Sequence, residues 1–187
     1  INRMSSALGL PENVRETASV IYRRALEENL LPGRSIEGVA SASLYAAARN
    51  AGTPRSLDEL ARVSRVDRSE LTRAYRYIIR ELELEVEPAD PESYVPRFLS
   101  ELGVTSADAG IIERHARDML TTAREEGLLS GKSPVSLAAA AIYAAALLAE
   151  KPLTQQEIGD VADISEVTIR NRYRELLDVK TDFDINL

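Results

Sequence analysis

Sliding the chain against itself by 98 residues brings two stretches into gap-free register: GRSIEGVASASLYAAARNAGTPRS, from Gly33 to Ser56, lies over GKSPVSLAAAAIYAAALLAEKPLT, from Gly131 to Thr154. Tyr45 falls on Tyr143, Pro54 on Pro152, Glu59 on Glu157, and Tyr75-Arg76 on Tyr173-Arg174. Upstream, LEENLLPGRS matches REEGLLSGKS in the same register. Leu8-Gly9 and Leu102-Gly103 match at an offset of 94, which implies a four-residue insertion in the second copy. Paired Gly, Pro and Tyr outside the Ala runs are more than two Ala-rich helices would share by chance. Whatever fold one half adopts, the other adopts too.

Each copy reads as five helices. In the first they span roughly Ile1 to Leu8, Glu12 to Leu30, Ile36 to Ala51, Leu57 to Ser64, and Arg68 to Glu83. The second helix carries Val14, Ala18, Ile21 and Ala25 on one face, matched by Ile112, Ala116, Met119 and Ala123. The third is rich in small residues on most sides, as expected of a central helix surrounded by others. EVEPADPES, Glu85 to Ser93, is acidic and contains two prolines, which stop helices and stiffen a linker. The expected organisation is a first repeat over 1–84, a linker over 85–93 and a second repeat over 94–187.

Composition fits an all-α chain: 44% of residues are hydrophobic but only 5% aromatic with no Trp, so the cores must be built from Ala, Leu, Ile and Val. No strand-like alternation of Val, Thr and Tyr interrupts the helical periodicity. The absence of Cys excludes disulfides, thiolate catalysis and cysteine-ligated zinc or iron–sulfur centres within these residues. A single His, His115, leaves no His-based triad or multi-His metal site, and no nucleophile–base set or P-loop is present. No catalytic or metal-ligating residue is therefore assigned. The run SLAAAAIYAAALLA, Ser136 to Ala149, is too short and too Ala-rich to span a bilayer, so no membrane role is expected. No signal peptide is visible, and a start at Ile1 rather than Met reads as a piece of a longer protein.

Net charge is −7, which by itself disfavours nucleic acid. Its distribution is uneven: Arg49 to Arg80 holds eight Arg against four acids. Only three of the 23 basic residues are Lys, and an acidic, Lys-poor surface suits concentrated salt. An ordinary acidic protein-binding domain would show the same balance.

In the second copy Thr154 and Glu157 form a candidate capping box, a short helix runs to about Val161, and Ala162-Asp163-Ile164 makes a turn. Ser165 can cap the helix that follows, and Gly159 lets the two helices cross closely. This is the spacing of a helix-turn-helix. On the second of these helices Ile169, Tyr173 and Leu176 form the buried face, leaving Val167, Arg170, Asn171 and Arg174 as the opposite stripe. Arg can bond bidentately to a guanine edge, a branched apolar side chain can pack on a thymine methyl, and further Arg can hold phosphates. Taken alone, the stripe serves a solvated face equally well. The same positions in the first copy are Ser69, Thr72, Arg73 and Arg76, with weaker base-reading chemistry. Gly33-Arg34 and Gly131-Lys132 form matched basic loops where backbone can approach a phosphate, although a helix-ending Gly beside a solvated cation is an equal reading.

These residues resemble a known family. Two five-helix cyclin-like repeats with PGRS and SGKS loops, SLAAAAIYAAA, and above all EIGDVADISEVTIRNRYREL are similar to the core of archaeal transcription factor B, the counterpart of transcription factor IIB. The likeness covers essentially the whole chain, and the acidic surface suits a halophilic member. The resemblance implies an archaeal cytoplasmic, nucleoid-associated monomer that is not an enzyme. Its partners would be TATA-binding protein on bent promoter DNA and RNA polymerase. It implies that Val167 and Arg170 read the B recognition element in the major groove and that Arg174 meets phosphate. Gly33 and Arg34 match a loop that meets DNA downstream of the TATA box. Contacts with TATA-binding protein are expected in the basic region holding Arg55, Arg65 and Arg68. No cofactor is expected here. Zinc belongs to an N-terminal ribbon of the family that a Cys-free chain cannot contain, so these residues are expected to assemble on a promoter without supporting normal initiation. The competing reading is a cyclin-like protein-binding adaptor with no DNA contact.

Overall fold

The computed structural model describes residues 1–86 and 88–184, and every regular element among them is helical. The chain divides into two compact units, 1–89 and 90–187. The first contains α1 (Asn2–Ala7), α2 (Glu12–Glu27), α3 (Ile36–Asn50), α4 (Leu57–Val63) and α5 (Arg68–Glu81). The second opens with a 3-10 turn at Pro91–Tyr94, then α6 (Val95–Glu101), α7 (Ser106–Glu125), α8 (Pro134–Leu148), α9 (Gln155–Ala162) and α10 (Glu166–Asp184).

In each unit one helix is engulfed by the others. All residues of α3 from Gly38 to Ala48 are buried, against α2 and α5 chiefly; in α8 the buried run is Ser136 to Ile142 with Ala144 to Ala146, against α7 and α10. Ala at these positions permits close interhelical approach. The remaining volume is filled by larger side chains such as Leu44, Leu71 and Ile78 in unit 1, and Phe98, Leu120 and Ile142 in unit 2.

Local chemistry repeats at the same 98-residue spacing. Ser35 caps α3 by accepting from the Gly38 amide, as Ser133 caps α8 by accepting from Ser136. Ser56 with Glu59, and Thr154 with Glu157, form reciprocal capping boxes at α4 and α9. Asp67 and Ser165 accept from the amides of Glu70 and Thr168 at the starts of α5 and α10. Tyr45 and Tyr75 meet edge-on with centroids 4.8 Å apart, and Tyr143 and Tyr173 do the same at 4.8 Å.

Two boundaries differ from the sequence reading. Helix α2 stops at Glu27 rather than Leu30 because Asn29 takes a left-handed φ of 53° and the Leu30 amide folds back onto the Ala25 carbonyl at 2.9 Å. Residues 90–93, read as the end of a linker, pack into unit 2. Asp90 caps the 3-10 turn, Tyr94 is buried, and Arg124 of α7 bridges Asp90 at 2.8 Å and Glu92 at 3.2 Å.

Candidate nucleic-acid interface

Helices α9 and α10 of unit 2 make a tight helix-turn-helix whose closure depends on one position. The Ile164 amide donates to the Gly159 carbonyl at 2.9 Å, Asp163 adopts a left-handed φ of 56°, and Ser165 then caps α10. A β-carbon on Gly159 would lie 2.6 Å from the Ile164 carbonyl oxygen. The sequence reading gave this Gly to helix crossing, but the group it admits is the backbone of the turn. The first copy carries Ala61 at the equivalent position, and there the chain leaves α4 through an extended Ser64 (ψ 175°), whose hydroxyl bonds the carbonyls of Ala61 and Val66. The two repeats therefore differ in the turn that presents their last helix.

On α10, Ile169 and Leu176 are buried and Tyr173 packs partly against the same core. This anchors one side of the helix and turns the other outward. Val167 is 59% exposed, and Arg170, Asn171 and Arg174 are all exposed. Neither Arg170 nor Arg174 forms an ion pair or side-chain hydrogen bond among the described residues, so both guanidiniums keep their full donor sets. The predicted stripe is thus assembled on one accessible face.

The other predicted residues are in varied circumstances. Lys132, in the α7–α8 loop, sits with Nζ 2.7 Å from Glu175 Oε2 on α10, while the other carboxylate oxygen of Glu175 takes Arg172 at 3.0 Å. The Glu175 carboxyl is held below its usual pKa, first by the Lys132 hydrogen bond; burial, next in size, opposes the shift, and the charges of Lys132 and Arg172 add to the lowering. In unit 1 the equivalent loop docks by different chemistry. Gly33 has φ 79°, and the Arg34 guanidinium stacks over the Tyr77 ring, 3.2 Å from its centroid. Position 77 is the counterpart of 175, so both loops rest on the same site of their last helix. Beside Arg34 lies a cavity of about 430 Å³ lined by Gly33, Arg34, Ser35, Gly38, Glu70 and Arg73. Glu70 accepts a hydrogen bond from Ser35 across it.

Of the three arginines placed near a protein partner, Arg55 is half-buried and donates to the Leu8 carbonyl through Nε at 3.1 Å and Nη2 at 3.0 Å, closing the C-terminal end of α1. Arg68 forms an exposed pair with Asp58 at 3.3 Å. Arg65 is exposed in the α4–α5 turn. Sequence reasoning missed the roles of Glu175, Tyr77 and Glu70. The 98-residue register that equates positions 77 and 175 was the available signal, but register alone does not say which side chain a loop touches. Among the described residues no cluster of His, Asp or Glu could hold a metal ion, and no helix is long and apolar enough to cross a membrane.

The family model described as "Transcription factor TFIIB repeat" matches residues 1–81 and again 84–179. Transcription initiation factor IIB 2 of Haloferax volcanii is 71% identical over 180 residues, covering 96% of this chain and 53% of that protein. Transcription initiation factor IIB 6 of Halobacterium salinarum is 66% identical, covering 96% and 55%. Transcription initiation factor IIB of Archaeoglobus fulgidus is 53% identical, covering 94% and 53%. The chain thus spans about half the length of these curated relatives, and the family is one of transcription factors rather than enzymes. With two matched repeats that together take in nearly every residue and relatives of this similarity, the chain belongs to the transcription factor TFIIB repeat family.

Proposed function

We propose that this chain is the promoter-binding core of a general transcription initiation factor. It binds the complex of TATA-binding protein with promoter DNA, reads the B recognition element through α10 in the major groove, and helps recruit RNA polymerase. The observation that carries this reading is the outward stripe of Val167, Arg170, Asn171 and Arg174, exposed and, for both arginines, without an ion pair or side-chain hydrogen bond among the described residues. Arg170 is assigned a guanine edge, Val167 a thymine methyl, and Asn171 and Arg174 the flanking bases or phosphates. The names of the relatives, all transcription initiation factors, support the assignment to initiation.

TATA-binding protein bends DNA by roughly 80°, which brings the flanking segments towards each other. Two tethered repeats then engage both flanks, the second repeat upstream and the Gly33-Arg34 loop of the first downstream. Neither needs high affinity alone, because the linker makes the second contact a local event. The exposed Arg65 and the Arg68–Asp58 pair are assigned to the surface facing TATA-binding protein.

The test is a gel shift on a TATA-containing promoter, with and without the cognate TATA-binding protein, at high salt. Arg170→Ala and a scrambled upstream element are run beside the wild type. A supershift that needs both proteins and weakens with either change is expected. A folded chain and an active partner giving no supershift would move the assignment to a protein-binding adaptor of cyclin-like fold.

A further inference from the structure

Three arginines of α10, at 170, 172 and 174, and Lys132 of the α7–α8 loop docked beside them fall into two pairs. Arg170 and Arg174 project from the outward stripe with no partner among the described residues; Lys132 and Arg172 share the two oxygens of Glu175. At roughly 100° per residue, Glu175 follows Asn171 along the same row of the helix, at the border between the stripe and the buried face. It is 40% exposed there, while Lys132 is only 20% exposed. We propose that Glu175 is an internal substitute for a DNA phosphate: it occupies Lys132 and Arg172 at the edge of the reading face and so limits how many phosphates the second repeat neutralises. This rests on the reading of α10 as a DNA-reading helix.

The consequence is a weaker dependence on salt. Each phosphate neutralised by a free cation releases counterions and adds roughly 0.9 to the slope of log affinity against log salt. A cation already neutralised by a carboxylate on its own chain has fewer counterions to release, so its approach to DNA adds little to that slope. The pairing also docks the Gly131-Lys132 loop against α10, which fixes the loop beside the groove without spending it on the backbone. The first repeat does the docking differently, with Arg34 stacked over the ring of Tyr77, which carries no negative charge.

The experiment measures affinity for promoter duplex with TATA-binding protein across a series of salt concentrations, for the wild-type chain, Glu175→Gln, Lys132→Met and the double variant. The slope for Glu175→Gln is expected to steepen by roughly one to two, with binding tightened at low salt and little changed at the highest. Lys132→Met in the otherwise wild-type chain is expected to leave the slope unchanged, and the double variant to steepen it by at most about one. A wild-type slope in folded Glu175→Gln overturns the inference. So does a slope flattened by about one in Lys132→Met, because Lys132 would then already lie on a phosphate. That second arm decides the matter even if Glu175→Gln folds poorly. If wild-type binding depends on the upstream element while both variants behave against expectation, only this inference fails; if wild type shows no partner-dependent binding, the functional reading fails with it.

Discussion

Gly159 and Ile164 are locked together in both directions: the Ile164 amide donates to the Gly159 carbonyl at 2.9 Å, and the Ile164 carbonyl occupies the space a β-carbon on Gly159 would need, 2.6 Å away. The obstacle is backbone, so it cannot be relieved by a rotamer change, and the α9–α10 turn would have to open. Gly159→Ala is therefore expected to destabilise the second repeat by about 1–3 kcal/mol, despite the better helix propensity of Ala. It should also weaken recognition of the upstream element, because α10 would shift against its scaffold. Thermal unfolding of the variant, beside element-dependent binding below its melting temperature, checks both. Ala61→Gly, in the open turn of the first repeat, has no such obstacle to remove and is expected to cost only the propensity difference, about 1 kcal/mol.

Arg170 and Arg174 should separate in kind as well as degree. Arg170→Ala is expected to lose about 1–3 kcal/mol of discrimination at one upstream base while leaving binding to other sequences nearly unchanged. Arg174→Ala, assigned to phosphate, should weaken binding to all sequences alike and flatten the salt slope by about 0.9. Both side chains are exposed and neither supports the fold, so melting temperatures should stay at the wild-type value. Competition binding against single-base variants of the upstream element distinguishes the two. A uniform loss for Arg170→Ala would remove it from the base-reading set.

The acid limit of stability offers a check on the Lys132–Glu175 pair. The folded-state pKa of Glu175 is depressed, so the pair contributes stability above the ordinary Glu value of about 4.3 and loses it as pH falls through the lower folded value. Because the carboxylate is 40% exposed and screened by solvent, the contribution is small, on the order of 0.5 kcal/mol. Wild type should exceed Glu175→Gln in melting temperature at pH 6 to 7, and the gap should close below about pH 4. Parallel melting curves over that range, at low salt, provide the measurement. A gap that persists at the acid end would mean that packing, not charge, holds Glu175.

How far the sequence spoke depended on whether a feature was local. The caps at Thr154 and Ser165 are set by side chains bonding their own backbone within three residues, and the sequence placed both. The burial of α3 and α8 was legible because runs of Ala on every side leave a helix nowhere else to go. The outward stripe of α10 followed from the spacing of Ile169, Tyr173 and Leu176 on its other side. What escaped were contacts between residues distant in sequence, such as Ser35 with Glu70, Lys132 with Glu175 and Arg55 with the Leu8 carbonyl. Nothing in a periodicity distinguishes a free cation from one that already has a partner. The different turns of the two repeats were hidden likewise, since a single methyl, Ala61 against Gly159, decides whether a carbonyl can enter.

Arg55 and Arg65 are both basic and lie within one stretch, yet Arg55 is half-buried and bonded to backbone while Arg65 is exposed. Arg55 spends Nε and Nη2 on the Leu8 carbonyl, 47 residues away, and Nη1 on the Pro54 carbonyl at 2.9 Å. Removing it leaves the end of α1 without those donors, so Arg55→Ala is expected to destabilise the first repeat by about 1.5–3 kcal/mol, the range for hydrogen bonds to a charged group. Arg65 is exposed in the α4–α5 turn, and Arg65→Ala should leave stability within about 0.5 kcal/mol of wild type. If this surface meets TATA-binding protein, Arg65→Ala should weaken the ternary complex at unchanged melting temperature. Arg55→Ala should weaken it only as far as the first repeat unfolds. Melting curves paired with titration of TATA-binding protein on promoter DNA make the comparison. A folded Arg65→Ala chain that binds its partner with wild-type affinity would place the interface on another face of the first repeat.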